Sequence, residues 1–499
     1  MGSIKKLAGE TVLYGASSVL GRVLNYLLVP LYTSVFVAEE YGIVTELYAY
    51  VAFLNIIYAY GLETAYFRFS NKEGFKEQNV FNISFSSILV TTLVFSGFLF
   101  LMSEEISLIL DYPGQSHLIS WLAIILGIDA IVAIPFARLR LEGKAKMFVL
   151  AKLTNISLNI LFNLLFIIII PSLTSTFLDE PLNGLYRTDW GIEYIFISNL
   201  LANALLIPIL VSTFKGFRFR YSLTELQPLL IYAYPLLFTG LAGVTNEMMS
   251  RAMLKHLLPE GFYPGQSNLT ALGIFGACYK LSVFMTLAVQ AFRYAAEPFF
   301  FSNAADKESP QLFARVAHWF VIFASLAFLV ISINLDLIGF IFLRSAEYRE
   351  ALYVVPYLLL GGLFLGIYYN LSVWYKLSDK TIYGALISGI GALITIIINI
   401  VLIPTMGYLG SAIATLITYA TMTVISYYLG QKYLPIPYKA IKGLTYIGMA
   451  ALLVLILAKT EPGSTAFTMI MRTAAVSIFI FVFYLLDGSE LNKLLKRSN

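Results

Sequence analysis

Two long apolar runs near the start of the chain, residues 11–36 and 41–67, are separated by only four residues, Val37-Ala38-Glu39-Glu40. At 1.5 Å per residue, each run is long enough as a helix to cross the roughly 30 Å hydrocarbon core of a bilayer. Four residues leave room only for a tight reversal, so the sequence predicts an antiparallel hairpin of two membrane spans.

The composition extends this prediction to the whole chain of 499 residues. Hydrophobic residues make up 59% of it and charged residues 12%, whereas soluble domains carry about 25% charged residues. The lone cysteine, Cys278, excludes an internal disulfide, and the three histidines, His117, His256 and His318, are too scattered to suggest a metal site. We therefore expect a polytopic membrane protein with no bound cofactor beyond a coupling H⁺ or Na⁺.

Apolar runs read against turn and charge signals predict fourteen spans in an all-α fold. An even number places both termini on the same side of the membrane. The spans are expected at residues 10–36, 41–66, 80–102, 117–138, 147–171, 190–213, 226–256, 269–300, 312–343, 350–374, 381–403, 408–430, 440–458 and 466–486.

The distribution of basic residues predicts which side that is. Twenty-two lysines and arginines fall in the termini and loops on the side of the N-terminus, and five fall on the opposite side. Because positive residues are retained in the cytoplasm, both termini are expected there. No segment outside the spans is large enough to form a soluble domain, so whatever the protein does takes place within the membrane.

Weak internal matches suggest that spans 1–6 and 7–12 form a repeat. Six spans return the chain to the same side, so the halves would have equal orientation and a substrate site between them. The predicted domains are residues 1–220, residues 221–434 and a pair of additional spans with a tail in residues 435–499. The matches pair Tyr41-Gly42-Ile43 with Leu272-Gly273-Ile274, Asn25 with Asn246, and Arg140 and Lys144 with Lys376 and Lys380.

Several short motifs stand at corresponding places in a known family. With six plus six plus two spans, the chain resembles the polysaccharide transporters, or O-antigen type flippases, of the multidrug/oligosaccharidyl-lipid/polysaccharide exporter superfamily. The motifs are Gly21-Arg22-x7-Pro30-Leu31-Tyr32 in span 1, Tyr41-Gly42 opening span 2, Arg138-Leu139-Arg140-Leu141-Glu142-Gly143-Lys144 before span 5, and Gly407-Tyr408-Leu409-Gly410-Ser411-Ala412 opening span 12.

The resemblance implies a flippase of the bacterial inner membrane rather than an enzyme. Its substrate would be a polyprenyl-diphosphate-linked oligosaccharide, moved from the cytoplasmic to the outer leaflet for cell-surface polysaccharide synthesis. Expected partners are this lipid, the bilayer and other biosynthetic membrane proteins such as a polysaccharide polymerase; nucleic acid is not expected. In related lipid II flippases, arginines of spans 1 and 8 line a cationic cavity, which points to Arg22 and to either Lys280 or Arg293.

Charged residues inside the spans are the candidate site residues. An arginine at mid-membrane costs about 2.5–3.5 kcal/mol on insertion scales and therefore faces protein or a watery cavity. The cations Arg22, Arg251, Lys280 and Arg293 would line the substrate path, with Glu63 as an alternative ion-pair partner for Arg22. The acids that could bind a coupling ion or form structural pairs are Glu46, Glu63, Asp129, Glu247 and Glu297.

Spacing along the helices bears on two of these pairs. Glu247 and Arg251 are four residues apart, as are Arg293 and Glu297, so each pair could neutralise itself on one helix face. Structural pairing competes there with substrate or ion contact.

Two other functions remain open from the sequence. One is a multidrug or cation exporter of the same superfamily, although such relatives usually have twelve spans and cavities dominated by acids. The other is a membrane glycosyltransferase or polymerase, for which the acidic pair Glu39 and Glu40 is the remaining basis. These two glutamates also suit the N-terminus of a helix, whose dipole favours negative charge.

Overall fold

The computed structural model describes residues 19–176, 186–187, 189–304, 306, 308–460 and 464–498. Every regular element among these residues is a helix, which confirms the all-α polytopic fold. The first part of predicted span 1, residues 10–18, lies outside the described residues. Close backbone contacts divide the chain into two compact units, which are described separately: unit 1 ends at Gly276 and also includes Thr395–Gly407, and unit 2 holds Ala277–Ile394 and everything from Tyr408 onward.

Among its described residues, unit 1 contains ten helices, the first part of an eleventh and the C-terminal part of a later helix. Helix α7 continues through a π-helical turn, Leu165–Ile169, into Ile170–Thr176. The helices are α1 Val19–Val35, α2 Ala38–Ala59, α3 Leu62–Ser70, α4 Glu77–Leu101, α5 Ser103–Ile109, α6 Ser116–Leu141, α7 Ala145–Leu164, α8 Glu193–Ala204, α9 Leu206–Ile209, α10 Leu223–Leu257 and the start of α11, Asn268–Leu281.

Unit 2 contains the end of α11 and the helices that follow it. Helix α17 is shared, because its C-terminal part belongs to unit 1. The helices are α12 Val283–Ser302, α13 Ser309–Ile333, α14 Leu335–Phe342, α15 Val355–Leu371, α16 Val373–Leu377, α17 Ile382–Met406, α18 Tyr408–Tyr433, α19 Ala440–Lys459 and α20 Thr465–Ser498.

The helices lie where the apolar runs place the spans. Among the described residues, eleven helices are long and apolar enough to cross a membrane, and α11 with α12, bent by 41° at Ser282, would make a twelfth. Two shorter apolar helices, Val19–Val35 and Glu193–Ile209, lie at predicted spans 1 and 6. The number of fourteen spans, their sidedness and the three predicted domains stay predictions.

The predicted hairpin forms as two helices with a sharp turn at Val37. Helix α2 begins at Ala38, so Glu39 and Glu40 occupy its first turn, and the Glu40 carboxylate accepts a hydrogen bond from the Val37 backbone N–H at 3.3 Å. The Ser267 hydroxyl donates to Glu39 at 2.9 Å. Both glutamates therefore act at a helix N-terminus, as their position predicts.

The second run of the hairpin is broken between α2 and α3. Tyr60 and Gly61 both adopt positive φ, at 31° and 73°, a conformation that glycine accepts without steric penalty. A Cβ added at Gly61 would lie 2.7 Å from the carbonyl oxygen of Ala233 in α10. The break therefore requires glycine both for its backbone angle and for the close approach of α10.

Replacing Gly61 with alanine is expected to destabilise the protein by about 1–3 kcal/mol, because the new Cβ adds backbone strain and a clash. Thermal unfolding of purified protein measures this as a lower midpoint. The matched control is Gly97→Ala in α4, where a Cβ would have nothing within 4 Å, so the midpoint should hold or rise. An unchanged midpoint for Gly61→Ala would show that α10 yields at this contact.

Candidate functional site

A ladder of asparagines forms a polar face on helix α7, within a predicted span of unit 1. Asn155, Asn159 and Asn163 follow one another at four-residue intervals, so they lie about 6 Å apart on the same face of the helix. The Asn163 amide donates to the side-chain oxygen of Asn159 at 2.7 Å and to its backbone oxygen at 2.8 Å. We call these three residues the asparagine ladder.

Side chains from α1, α6 and α8 meet the asparagine ladder. The Tyr32 hydroxyl donates to Asn163 at 2.8 Å. The Asn155 amide donates to Asn203 at 2.9 Å, and the Asn203 amide donates in turn to the carboxylate of Asp129 at 2.9 Å. The first contact joins α1 to α7 and the other two join α7 to α8 and α8 to α6, so two separate sets of polar contacts link four helices that are distant in sequence.

Two cations lie beside this network. Lys152 is exposed on α7, less than one turn before Asn155; its ammonium is 4.5 Å from the centre of the Phe136 ring, and its charge interacts with those of Asp129 and Glu63. Arg22 is also exposed, and within the described part of the chain it forms no ion pair. Helix α1 reaches α7 here, because a Cβ on Gly21 would lie 2.6 Å from the Ile156 side chain.

The acid suggested as a partner for Arg22 is engaged elsewhere. The carboxylate of Glu63 forms an ion pair with Arg140, at the end of α6. The sequence offered Arg22 as an alternative partner because both residues lie inside predicted spans, but α6 brings Arg140 to the first turn of α3. Arg22 thus remains available to an anion from outside the described chain.

Glu46, a candidate for ion coupling, belongs to a separate buried cluster. Its carboxylate, with 0% of the residue exposed, accepts hydrogen bonds from Tyr50 at 3.0 Å and from Tyr112. The Lys255 ammonium lies at 3.3 Å and His256 Nε2 at 2.9 Å. We call these five residues the Glu46 cluster; it fastens the C-terminal end of α10 to α2.

The remaining candidates of unit 1 lie one turn away on α10. Arg251 is buried and donates to the backbone oxygen of Glu247 at 2.8 Å. The four-residue spacing predicted that these two residues pair, and the contact that forms is between the Arg251 side chain and the Glu247 main chain. Arg251 also interacts electrostatically with Tyr41 of α2.

Unit 2 holds the other two candidate cations. Lys280 is half-buried near the end of α11, whereas the Arg293 guanidinium lies 4.9 Å from the centre of the Tyr369 ring. Glu297 does not neutralise Arg293, because its carboxylate lies 2.5 Å from the ammonium of Lys376 in α16. The candidate cations therefore fall into two groups, Arg22 and Arg251 in unit 1 and Lys280 and Arg293 in unit 2.

The asparagine ladder and Lys152 were absent from the candidates, although the sequence carries a signal for them. Three amides at a period of four within an apolar run mark one polar helix face. Chemically, the amides can donate to and accept from hydroxyl groups, and the ammonium and guanidinium groups can bind phosphate oxygens. The described residues contain no group of three or more side chains suited to hold a metal ion.

The chain matches a known protein family. A family model described as "Polysaccharide biosynthesis protein" matches residues 7–303. No curated protein matches the chain significantly.

Solved structures with a similar fold include a lipid II flippase and multidrug transporters. The lipid II flippase MurJ in an inward closed conformation is 15% identical, with a TM-score of 0.66 over 95% of this chain and 99% of its own. An inward-facing MATE family multidrug transporter of the MOP superfamily is 12% identical, with a TM-score of 0.65 over 82% and 94%. A MATE protein in the straight conformation is 12% identical, with a TM-score of 0.55 over 86% and 95%. At these identities the likeness concerns the fold.

Proposed function

Because the chain belongs to the polysaccharide biosynthesis protein family, we propose that it is a flippase for a polyprenyl-diphosphate-linked oligosaccharide. The chain is a multi-pass flippase or exporter of the multidrug/oligosaccharidyl-lipid/polysaccharide exporter superfamily, as its family and its fold together support. The proposal adds the cargo, its direction from the cytoplasmic to the outer leaflet, and the bacterial inner membrane as the location.

The observation that supports the proposed cargo is that amides and cations lie close together in unit 1. Moving a saccharide through the membrane requires replacement hydrogen bonds for its hydroxyl groups, which Asn155 and Asn159, the half-buried members of the asparagine ladder, can supply. Moving a diphosphate requires fixed positive charge, and Arg22 and Lys152 flank the same stretch of α7. A drug exporter for cations would need the opposite sign of charge.

The proposed mechanism is alternating access, with the substrate exposed first to one side of the membrane and then to the other. Asp129, Glu63 and Glu46 are the carboxylates through which H⁺ or Na⁺ could drive the cycle. No catalytic step belongs to the proposal, since the lipid leaves chemically unchanged.

The direct test of the proposal uses proteoliposomes that contain a fluorescent polyprenyl-diphosphate oligosaccharide. Reconstituted protein should raise the rate at which label in the inner leaflet reaches a membrane-impermeant quencher, compared with liposomes lacking protein. Dye transport without lipid movement would instead favour the drug exporter, and hydrolysis or elongation of the saccharide would favour a glycosyltransferase or polymerase.

Replacing Asn159 with leucine is expected to slow lipid movement about three- to tenfold, because one or two hydrogen bonds to the saccharide are lost. The fold should persist, since the amide of Asn163 keeps its bond to the backbone oxygen of residue 159. The matched control is Asn71→Leu, on an exposed loop. Equal rates for the two variants would remove the asparagine ladder from the substrate path.

A further inference from the structure

The glycines that the internal repeat pairs with each other, Gly42 and Gly273, meet in unit 1. A Cβ on Gly42 would clash with the backbone oxygen of Leu269, and a Cβ on Gly273 would clash with that of Ala38. One turn further along, a Cβ on Gly276 would lie 2.5 Å from the Thr45 hydroxyl. The N-terminal turns of α2 and α11 therefore cross at backbone distance, and we call this contact the glycine crossing.

The Glu46 cluster lies at the same end of unit 1. Glu46 follows Thr45 directly, and the amide of Asn268, the first residue of α11, donates to the backbone oxygens of Leu258 and Lys255 at 2.6 and 3.2 Å. The starts of α2 and α11 and the end of α10 are thus closed against one another. In the predicted orientation this is the outer end of the protein.

We propose that the glycine crossing and the Glu46 cluster together form a closure that opens and shuts during transport. The inference rests on the alternating access of the proposed function, but it names the residues that close one end. At the glycine crossing, α2 and α11 pack closely because neither has a side chain in the way. The charged groups of the Glu46 cluster supply the attraction that keeps the closure shut.

The physical character of both contacts favours a closure that can reopen. The glycine faces can part without changing rotamers, because they do not interlock. Breaking a buried ion pair is costly unless its groups regain water, and here water is near: 41% of the His256 side chain and 76% of the Asp111 side chain, 3.7 Å from Lys255, are exposed. Glu46 and Lys255 can therefore be hydrated as the helices separate.

Helix α10 also contacts the break between α2 and α3, at the other end of α2 from the glycine crossing, and this second contact has the features of a hinge. Gly61, at the break between α2 and α3, meets Ala233, and α10 carries Pro228 and Pro235 on either side of that contact. Prolines and helix breaks are the usual sites of helix bending. Fifteen residues, or about 22 Å of helix, separate Gly61 from Glu46.

The test measures the accessibility of a cysteine placed inside the closure. Ala38, with 0% of the residue exposed, is changed to cysteine in a Cys278→Ala background, and its reaction with a charged maleimide is followed in nanodiscs. Gly273→Val, whose side chain would collide with the Ala38 backbone, should label about tenfold faster, which corresponds to a closed state weakened by about 1.4 kcal/mol. The matched control Gly243→Val, where a Cβ meets nothing within 4 Å, should label at the parent rate.

Charge variants provide a second measurement that does not depend on the folding of the valine variant. Glu46→Lys alone and Lys255→Glu alone should each speed labelling, and the double exchange should return the rate to within about twofold of the parent, because an ion pair of reversed order is restored. Unchanged labelling in the single variants, or no rescue by the exchange in monodisperse protein, would overturn the closure. Since no lipid substrate is present, failure here is distinct from failure of the proposed cargo.

Discussion

Arg22→Ala is expected to lower lipid transport about 10- to 100-fold while leaving membrane insertion intact. A hydrogen bond to a charged group contributes about 1.5–3 kcal/mol, and each 1.4 kcal/mol is tenfold in a binding constant. The side chain is exposed and forms no ion pair within the described residues, so its removal leaves no buried acid without a partner. The loss should therefore appear in transport and not in stability.

The measurement is the initial rate of lipid movement in proteoliposomes with matched protein content. Arg218→Ala, an exposed arginine outside the spans, controls for loss of positive charge in general. Arg22→Lys should retain part of the activity, because an ammonium keeps the charge but not the two-pronged geometry of the guanidinium. Full activity of a well-inserted Arg22→Ala protein would remove Arg22 from the substrate path.

Asp487→Ala is expected to destabilise the protein by about 3–5 kcal/mol, the usual effect of removing one partner from a buried charge cluster. Asp487 of α20 is 0% exposed, accepts a hydrogen bond from Tyr446 at 2.7 Å, and lies 3.0 Å from the Lys442 ammonium and 3.1 Å from Nε2 of the buried His318. The substitution would leave three polar groups of α13 and α19 without their carboxylate. Helix α20 would then lose its buried polar contacts with α13 and α19.

Thermal unfolding in detergent, followed by helical circular dichroism, measures this effect. The control is Asp336→Ala. It removes an ion pair in which the Asp336 carboxylate lies 2.7 Å from the guanidinium of Arg472 in α20, and 66% of the Asp336 side chain is exposed. Exposed pairs contribute at most about 1 kcal/mol, so this midpoint should barely move. Equal shifts for the two variants would show that the buried cluster is not what holds α20.

Helix positions followed from the sequence because they depend on local quantities. The length of an apolar run and the residues that interrupt it decide where a span can lie, and the hairpin turn at Val37 formed where the run of apolar residues stops. Arg22 likewise needed only its position within a run to be recognised as a costly residue and therefore as a candidate site residue.

Side-chain partners were harder to predict, because they depend on which distant helices pack together. Glu297 had Arg293 within reach along its own helix, yet it pairs with Lys376, 79 residues away. The Glu46 cluster joins residues 209 positions apart, and no local pattern indicates that contact. The asparagine ladder is the opposite case, since its period of four is visible in the sequence.

The proposed internal repeat was only partly readable from the sequence. Each sequence match was weak, but Gly42 and Gly273 lie against each other at the glycine crossing. A glycine is needed wherever two helix backbones touch, so the pairing has a physical cause beyond common descent. When two repeats place small residues at matching positions in apolar helices, the match thus indicates a contact that hydropathy alone does not reveal.

Mass spectrometry of polyprenyl-linked saccharides in cells with and without the protein tests the proposed cargo. If the protein flips such a lipid, cells lacking it accumulate a diphosphate-linked oligosaccharide on the cytoplasmic face, and wild-type protein, but not Arg22→Ala, clears it. An unchanged set of lipid-linked saccharides would show that the protein moves a different cargo.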